Sequence, residues 1–429
     1  MKRLFPLYLV IFVGFIAYSI QIPIFTSFLL ENTSLNTSPL FSSFDKNRLV
    51  LGLLLSMYPL GQFFGAPILG AFSDRFGRKK ILVTSLLFTI LATTFVALCI
   101  YFVSILLLHL ALFLAGMFEG NIAIAQGAIV DSVEDTKRGR YFGYIYVASS
   151  FGFIAGPLLA SLFSNSELST WFSPATSFWV VIFLLLLTTV WVYAHFKETH
   201  NGIEKLHRGF FQEFTNLSNT LKDKNLRYYY GVNFILYFSI FGFLRIYPTY
   251  LVLTYQLDFS YLSIMIAYVS LPFVIVNLFL TPLFSKLQEA KKITIITSLL
   301  MGLFMISITL FPSFSSLWFT LGATTFFLAF VMTFSAAMIS FMADKEHQGA
   351  VMGNNQSLVA SAQGISATIG GAIAMIAAFL PLLFFGLLAI IAGILLLRRH
   401  HAEWQMDHHH ESKPVVIEDK DNPFKFTAL

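Results

Sequence analysis

Twelve apolar stretches, each of about twenty residues or more, fill most of this chain, and few charges interrupt them. A helix needs ~20 apolar residues to cross ~30 Å of hydrocarbon. The candidate spans lie at about 5–30, 48–71, 80–101, 104–128, 140–163, 174–196, 228–254, 261–284, 293–312, 314–342, 349–377 and 379–397. Several contain Gly or Pro, which membrane helices tolerate because neighbouring helices satisfy the freed backbone groups. With 57% hydrophobic residues, 49 of them Phe, and only 11% charged, the chain cannot be a soluble globule.

Charge placement sets an expected topology. With the N-terminus in the cytoplasm and the spans alternating, all but three of the 27 Lys and Arg fall on the cytoplasmic side. The exceptions are Lys46 and Arg48 in outside loops and Arg245 within a span. This one-sidedness satisfies the positive-inside rule. The net charge of +5 therefore reflects topology and contact with anionic head groups, and nucleic acid is not expected as a partner. Lys2-Arg3 before an apolar run imitates a signal peptide. The run is too long for one and no small-residue cleavage site follows, so it reads as a retained first span. Both termini are expected in the cytoplasm, in an integral, multi-pass cell-membrane protein. Cys99 is the only cysteine, so no intrachain disulfide forms.

The chain also repeats itself. A shift of 213 residues aligns Pro59 with Pro272, Arg78-Lys79 with Lys291-Lys292 and Thr84–Leu87 with Thr297–Leu300, without a gap. A shift of 210 aligns Gly139 and Gly143 with Gly349 and Gly353. The expected organisation is a six-helix bundle over 1–196, a polar cytoplasmic linker over 197–227 and a second bundle over 228–398. A disordered tail is expected over 399–429. His400-His401 and His408–His410 lie in that tail with nothing to position them, so no metal is expected. Asn32-Thr33-Ser34 and Asn36-Thr37-Ser38 match the glycosylation acceptor pattern, but an unmodified polar loop is the expectation.

Between spans two and three runs Gly70-Ala71-Phe72-Ser73-Asp74-Arg75-Phe76-Gly77-Arg78-Lys79-Lys80-Ile81-Leu82, with five charges in seven residues. This Gly-x-x-x-Asp-Arg-x-Gly-Arg-Lys-x-x-Leu pattern resembles the signature loop of the major facilitator superfamily of secondary transporters. The resemblance covers essentially all of residues 1–400. It implies an all-α membrane fold of twelve helices in two pseudo-symmetric six-helix bundles. By the same resemblance, Asp74 docks against the N-terminus of span eleven near Gly349, where the helix dipole favours an anion. Arg78 pairs with Asp74 or with Asp131 at the end of span four, and such contacts lock the cytoplasmic side shut in the outward-facing state. The second copy has Leu287-Gln288 where Asp74-Arg75 stand, so only the first half keeps the lock. Gly70 and Gly77 permit close packing and turning, and Arg75, Arg78, Lys79 and Lys80 suit phosphate head groups.

Span five carries Gly143-x8-Gly152-x3-Gly156-Pro157-x-x-Ala160. It is similar to the antiporter motif of superfamily exporters, with Ala160-Ser161 replacing a closing Gly-Gly. Small residues at i and i+4 make a groove for a neighbouring helix, and Pro157 bends its own. Many superfamily exporters carry an Arg in the first third of span four, where this chain has Leu112; coupling through that arginine is therefore not expected. The stretch from Asp131 through Gly156, and Gln348-Gly349 onward, still looks like the tetracycline-resistance and multidrug proton-antiporter group.

Of the 22 Asp and Glu, Glu119 alone falls in mid-membrane. A carboxylate there must face water, pair with a cation or take up a proton. Arg245 is the only membrane-embedded base and lies beyond the middle of span seven. In the superfamily, spans one, four, seven and ten line a central cavity, which would bring Glu119 and Arg245 together. Glu119, Arg245, Gln21 and Asn121 are accordingly the candidates for substrate contact or proton coupling. Arg245 is equally open to a structural role as an anchor reaching outward. His109 reads as a satisfied interfacial histidine, and Asn233, Asn277, Gln356 and Gln363 as helix-to-helix bonds.

The expected function is secondary active transport of a small organic molecule by alternating access, as proton-coupled efflux. The alternative is a proton-coupled uptake symporter for a nutrient, and more remotely a non-transporting sensor. An enzyme is not expected, because the interior offers scattered single polar groups. No cofactor is expected, with the proton gradient as energy source. No Gly-x-x-x-x-Gly-Lys-Ser/Thr supports ATP-driven pumping. A monomer in contact with the bilayer is the expected assembly.

Overall fold

The structure is a computed structural model that describes residues 4–31, 44–133, 138–165, 168–199, 224–284, 289–341 and 348–411. Among these residues there are helices and no strands. Twelve helical segments are long and apolar enough to span a membrane. They are Phe5–Leu30, Asn47–Phe76, Arg78–Tyr101, Ile105–Ile129, Tyr144–Phe163, Pro174–His195, Leu226–Tyr255, Phe259–Leu280, Ala290–Leu310, Phe314–Ser340, Ser357–Ile376 and Leu380–Arg399, here spans 1 to 12.

The predicted repeat is visible in the packing. Span 1 packs on spans 5 and 6, span 3 on spans 4 and 6, and span 2 on span 4. Adding six to each number gives the second half: span 7 on 11 and 12, span 9 on 10 and 12, and span 8 on 10. Spans 2 and 11, and spans 5 and 8, join the halves. In the first of these joints Gly52 stands against Gly371, and Arg48 Nη1 donates to the Ala374 carbonyl at 2.7 Å. A cation suits that end of span 11, where the helix carbonyls point outward.

Within each half, glycines bring helix backbones into contact. A methyl group added at Gly61 or Gly65 of span 2 would fall on the Phe113 or Met117 carbonyl of span 4. One added at Gly116 would fall on the Tyr58 carbonyl, and one at Gly120 would crowd Ala66. Two Gly-x-x-x-Gly pairs thus interlock, with no side chain between them. No hydrophobic force between helices exists in lipid, so this close approach supplies the packing energy.

Three spans are interrupted, spans 1 and 4 near their middles and span 8 at its end. Span 1 breaks at Ile20, between helices Phe5–Ser19 and Gln21–Glu31. Span 4 breaks at Glu119-Gly120, between Ile105–Phe118 and Asn121–Asp131. In span 8 a π-helical turn, Val276–Leu280, follows Pro272, and its Asn277 accepts a hydrogen bond from Thr333 at 2.9 Å. Helix breaks at mid-membrane depth persist only where protein or water satisfies the backbone. The last helix, Leu380–Glu411, continues well beyond Arg399, so the stretch predicted as a disordered tail begins helical. The two glycosylation-pattern asparagines fall outside the described residues.

Candidate functional site

The latch between spans 2 and 3 is built on one turn. Span 2 ends at Phe76 and the next helix starts at Arg78, so Gly77 alone turns the chain, at φ 98°. Only glycine adopts that backbone without strain. The turn aims Arg78 back along span 2, where its Nη2 meets Asp74 at 2.7 Å and its Nη1 donates to Ser73 Oγ at 2.7 Å. Its Nε reaches Asp131 at 3.0 Å, tying span 4 to the same guanidinium. Both predicted partners of Arg78 are therefore engaged at once. Gly127 leaves room for this, since a methyl there would stand 3.2 Å from the guanidinium carbon. Arg78 thus ties the end of span 2 to the end of span 4. Arg75 lies over the Phe76 ring at 5.1 Å and Lys79 over Tyr193 at 5.5 Å.

Glu198, which the sequence reading missed, completes the latch. Its carboxylate accepts from the Arg78 and Lys79 backbone amides at 2.8 and 3.0 Å. Those amides open the helix of span 3 and have no partner within it, and an anion there is favoured. Glu198, following span 6, is thus an acid at the N-terminus of the span 3 helix. Asp74 faces Arg78, and the immediate surroundings of Gly349, where the resemblance would dock it, lie outside what the structure describes, as do those of Gly143. No described residue stands within 4 Å of a methyl placed on Gly70. Asp74→Asn should leave the Arg78–Asp131 pair intact and substrate binding near wild type, while slowing turnover. Unchanged flux in proteoliposomes would remove Asp74 from the latch.

The glycines of span 5 pack against span 1. Gly152 abuts Phe12 and Phe15, and a methyl at Gly156 would fall on Ser19 Oγ, so spans 1 and 5 meet backbone to backbone. Pro157 lies inside the helix one residue on.

The centre of the molecule holds the buried charges. Glu119 sits at the break of span 4 with 1% of its surface exposed. The interlocked glycines of spans 2 and 4 bring Gln62 to it, and Gln62 Nε2 donates to Glu119 Oε2 at 2.8 Å. Tyr58, one turn earlier in span 2, lies against the same carboxyl group, and Gly14 of span 1 borders it. Glu119 Oε1 has no hydrogen-bond partner among the described residues. Arg245 is equally buried, at 1%. Its guanidinium carbon lies 4.5 Å from the centroid of the Tyr18 ring, a cation–π contact. Neither Nη1 nor Nη2 has a hydrogen-bond partner among the described residues. The Tyr18 ring stands 5.8 Å from the Tyr58 ring, and Gln363 of span 11 donates to the Tyr18 hydroxyl. Glu119 and Arg245 are thus near enough for the charge of one to act on the other, yet they form no ion pair. Two tyrosine rings lie between them.

The other two candidates have partners elsewhere. Asn121 Nδ2 donates to Thr89 of span 3 at 3.1 Å, and Gln21 Nε2 donates to the Ala17 carbonyl beside the break of span 1 at 2.9 Å. Asn233 donates to Asn355 at 2.5 Å, a helix-to-helix bond as expected. His109 Nδ1 contacts the Ile105 carbonyl at 2.8 Å. Among the described residues no cluster of His, Cys, Asp and Glu could hold a metal.

The family model described as Major Facilitator Superfamily matches residues 7–353 and 229–420. The chain belongs to the major facilitator superfamily. This superfamily transporter is 31% identical over 150 residues to the class B tetracycline resistance protein of Escherichia coli, a match covering 35% of each chain. The matched stretch thus spans about a third of that relative's length. Multidrug resistance protein 2 of Bacillus subtilis (strain 168) is 26% identical over 392 residues, 89% of this chain and 91% of the relative. Among solved structures, the human organic anion transporter MFSD10 (TETRAN) superposes with a TM-score of 0.71 at 19% identity, covering 92% of this chain and 99% of that one. A D-xylose-proton symporter superposes with a TM-score of 0.72 at 14% identity, over 92% and 97%. The superfamily comprises transporters rather than enzymes, and this is an integral, multi-pass one.

Proposed function

We propose that this transporter exports a small organic molecule in exchange for protons, by alternating access between its two halves. The observation that carries the reading is Glu119, a buried acid with one oxygen unbonded, seated where span 4 breaks. Such a group can carry a proton in one state and a charge in another, which coupling requires. The span 5 groove and the likeness to tetracycline and multidrug resistance proteins support export. The energy source is the proton gradient, without a cofactor.

In this reading the face bearing Arg75 to Lys80 is cytoplasmic, in the cell membrane, and its basic groups meet anionic lipid. The Arg78, Asp74, Asp131 and Glu198 assembly is the inner latch of a monomer. The Arg48 contact with span 11 then lies on the outer side. Right-side-out vesicles with an imposed proton gradient test the direction: exclusion of substrate supports export. Accumulation would instead make the protein an uptake symporter, and binding without flux a sensor.

A further inference from the structure

We infer that the central site takes a zwitterionic aromatic molecule, its basic group on Glu119 and its acidic group on Arg245. The inference rests on Glu119 being the proton site proposed above. Two buried groups of opposite charge each present unfilled hydrogen-bonding capacity at the core: Glu119 Oε1, and Arg245 Nη1 and Nη2. A buried ionised group without partners is costly. A ligand that supplies both partners recovers that cost twice over. The two free Nη atoms suit a planar, bidentate acceptor such as a carboxylate. The single free carboxylate oxygen suits one ammonium N–H. Between the two charges lie Tyr18 and Tyr58, with Phe153 5.9 Å from Tyr18. Surroundings made of these rings suit an aromatic body.

The sense of coupling excludes the simpler classes. In exchange transport, substrate and proton must compete for one group. A substrate ammonium on Glu119 Oε1 does compete with a proton for that oxygen. An anion on Arg245 without a basic group would instead favour protonated Glu119, and the two would travel together. A cation without an acidic group would meet the uncompensated Arg245. The charged and titratable groups facing Glu119 are Tyr18 from span 1, Tyr58 from span 2 and Arg245 from span 7. None of them supplies a second acid, so a bound ammonium has Glu119 as its counter-ion.

The test uses purified full-length protein and a panel of fused-ring aromatic aminocarboxylates. Each is paired with its amide (cation only), its N-acetyl form (anion only) and its doubly capped neutral form. By calorimetry and thermal shift at mildly alkaline pH, the parent compounds should bind about ten- to a hundred-fold more tightly than either singly capped form. Arg245→Gln should erase the preference over the amide, with Arg245→Lys intermediate. Glu119→Gln should erase the preference over the N-acetyl form and the loss of affinity on acidification. Neutral forms bound as tightly as the parents, or no parent bound at all, would overturn the inference. If gradient-driven flux of neutral compounds still disappears in Glu119→Gln, the proton-site reading survives and only the substrate class falls. Zwitterion preference with proton-driven flux retained in Glu119→Gln would overturn both.

Discussion

The Glu119→Gln variant is expected to fold and, with weaker binding, still to exchange substrate across the membrane, while proton-driven flux falls to background. Glutamine keeps the shape of the side chain and can still accept from Gln62, which donates to Glu119 Oε2 at 2.8 Å. What it cannot do is alternate between a bound proton and a charge, and no other acid lies in the membrane interior to replace it. Counterflow of labelled substrate without a gradient separates the two outcomes. Retained counterflow with lost gradient response places the proton on Glu119. A normal gradient response would clear Glu119 of coupling, and loss of both would point to a structural acid.

The second large effect concerns a residue with no polar chemistry. Gly116→Leu should sharply lower the melting temperature in detergent and the yield of monodisperse protein. Its side chain would have to occupy the place of the Tyr58 carbonyl, and backbone cannot step aside as a side-chain tip can. Overpacking a tight site costs about 1–3 kcal/mol even where side chains give way, and here spans 2 and 4 must separate. Gly70→Leu is the control: no described residue lies within 4 Å of a methyl there, and a change of about 0.5 kcal/mol or less is expected. If Gly116→Leu melted like Gly70→Leu, the backbone contact between spans 2 and 4 would be wrong. The position of Gln62 beside Glu119 would then lose its basis.

These two predictions show what the sequence disclosed and what it withheld. Span number and the repeat were legible because apolar length and matched Pro, Gly and Lys positions are local properties. The Arg78 pairings were legible because the Gly70–Leu82 pattern resembles a known signature loop and Asp131 ends span 4. Glu119 was legible as a lone acid in hydrocarbon. Its partners were not, although the signal existed: Gly61 and Gly65, and Gly116 and Gly120, are two small-residue pairs at matched spacing. Read together, they would have paired spans 2 and 4 and brought Gln62 forward. Asn121 was grouped with Glu119 because it follows closely in the chain. Two residues are about 200° around a helix, however, and Asn121 turns to Thr89 on span 3. The meeting of Tyr18 with Arg245 and Gln363 joins three distant spans, and nothing local records it. Glu198 was hidden in a charged stretch read as the start of the linker, where one acid among bases carries no periodic mark.

Tyr18 bridges the halves in a way that bears on how they part. It belongs to the first bundle, while Gln363 and Arg245, which hold its hydroxyl and its ring face, belong to the second. Gln62 and Glu119, by contrast, ride together on helices fused backbone to backbone. A rocking motion therefore spares the second pair and shears the first. One hydrogen bond and one cation–π contact amount to about 1–3 kcal/mol, a clasp firm enough to favour one pose and slight enough for thermal motion to undo at every cycle.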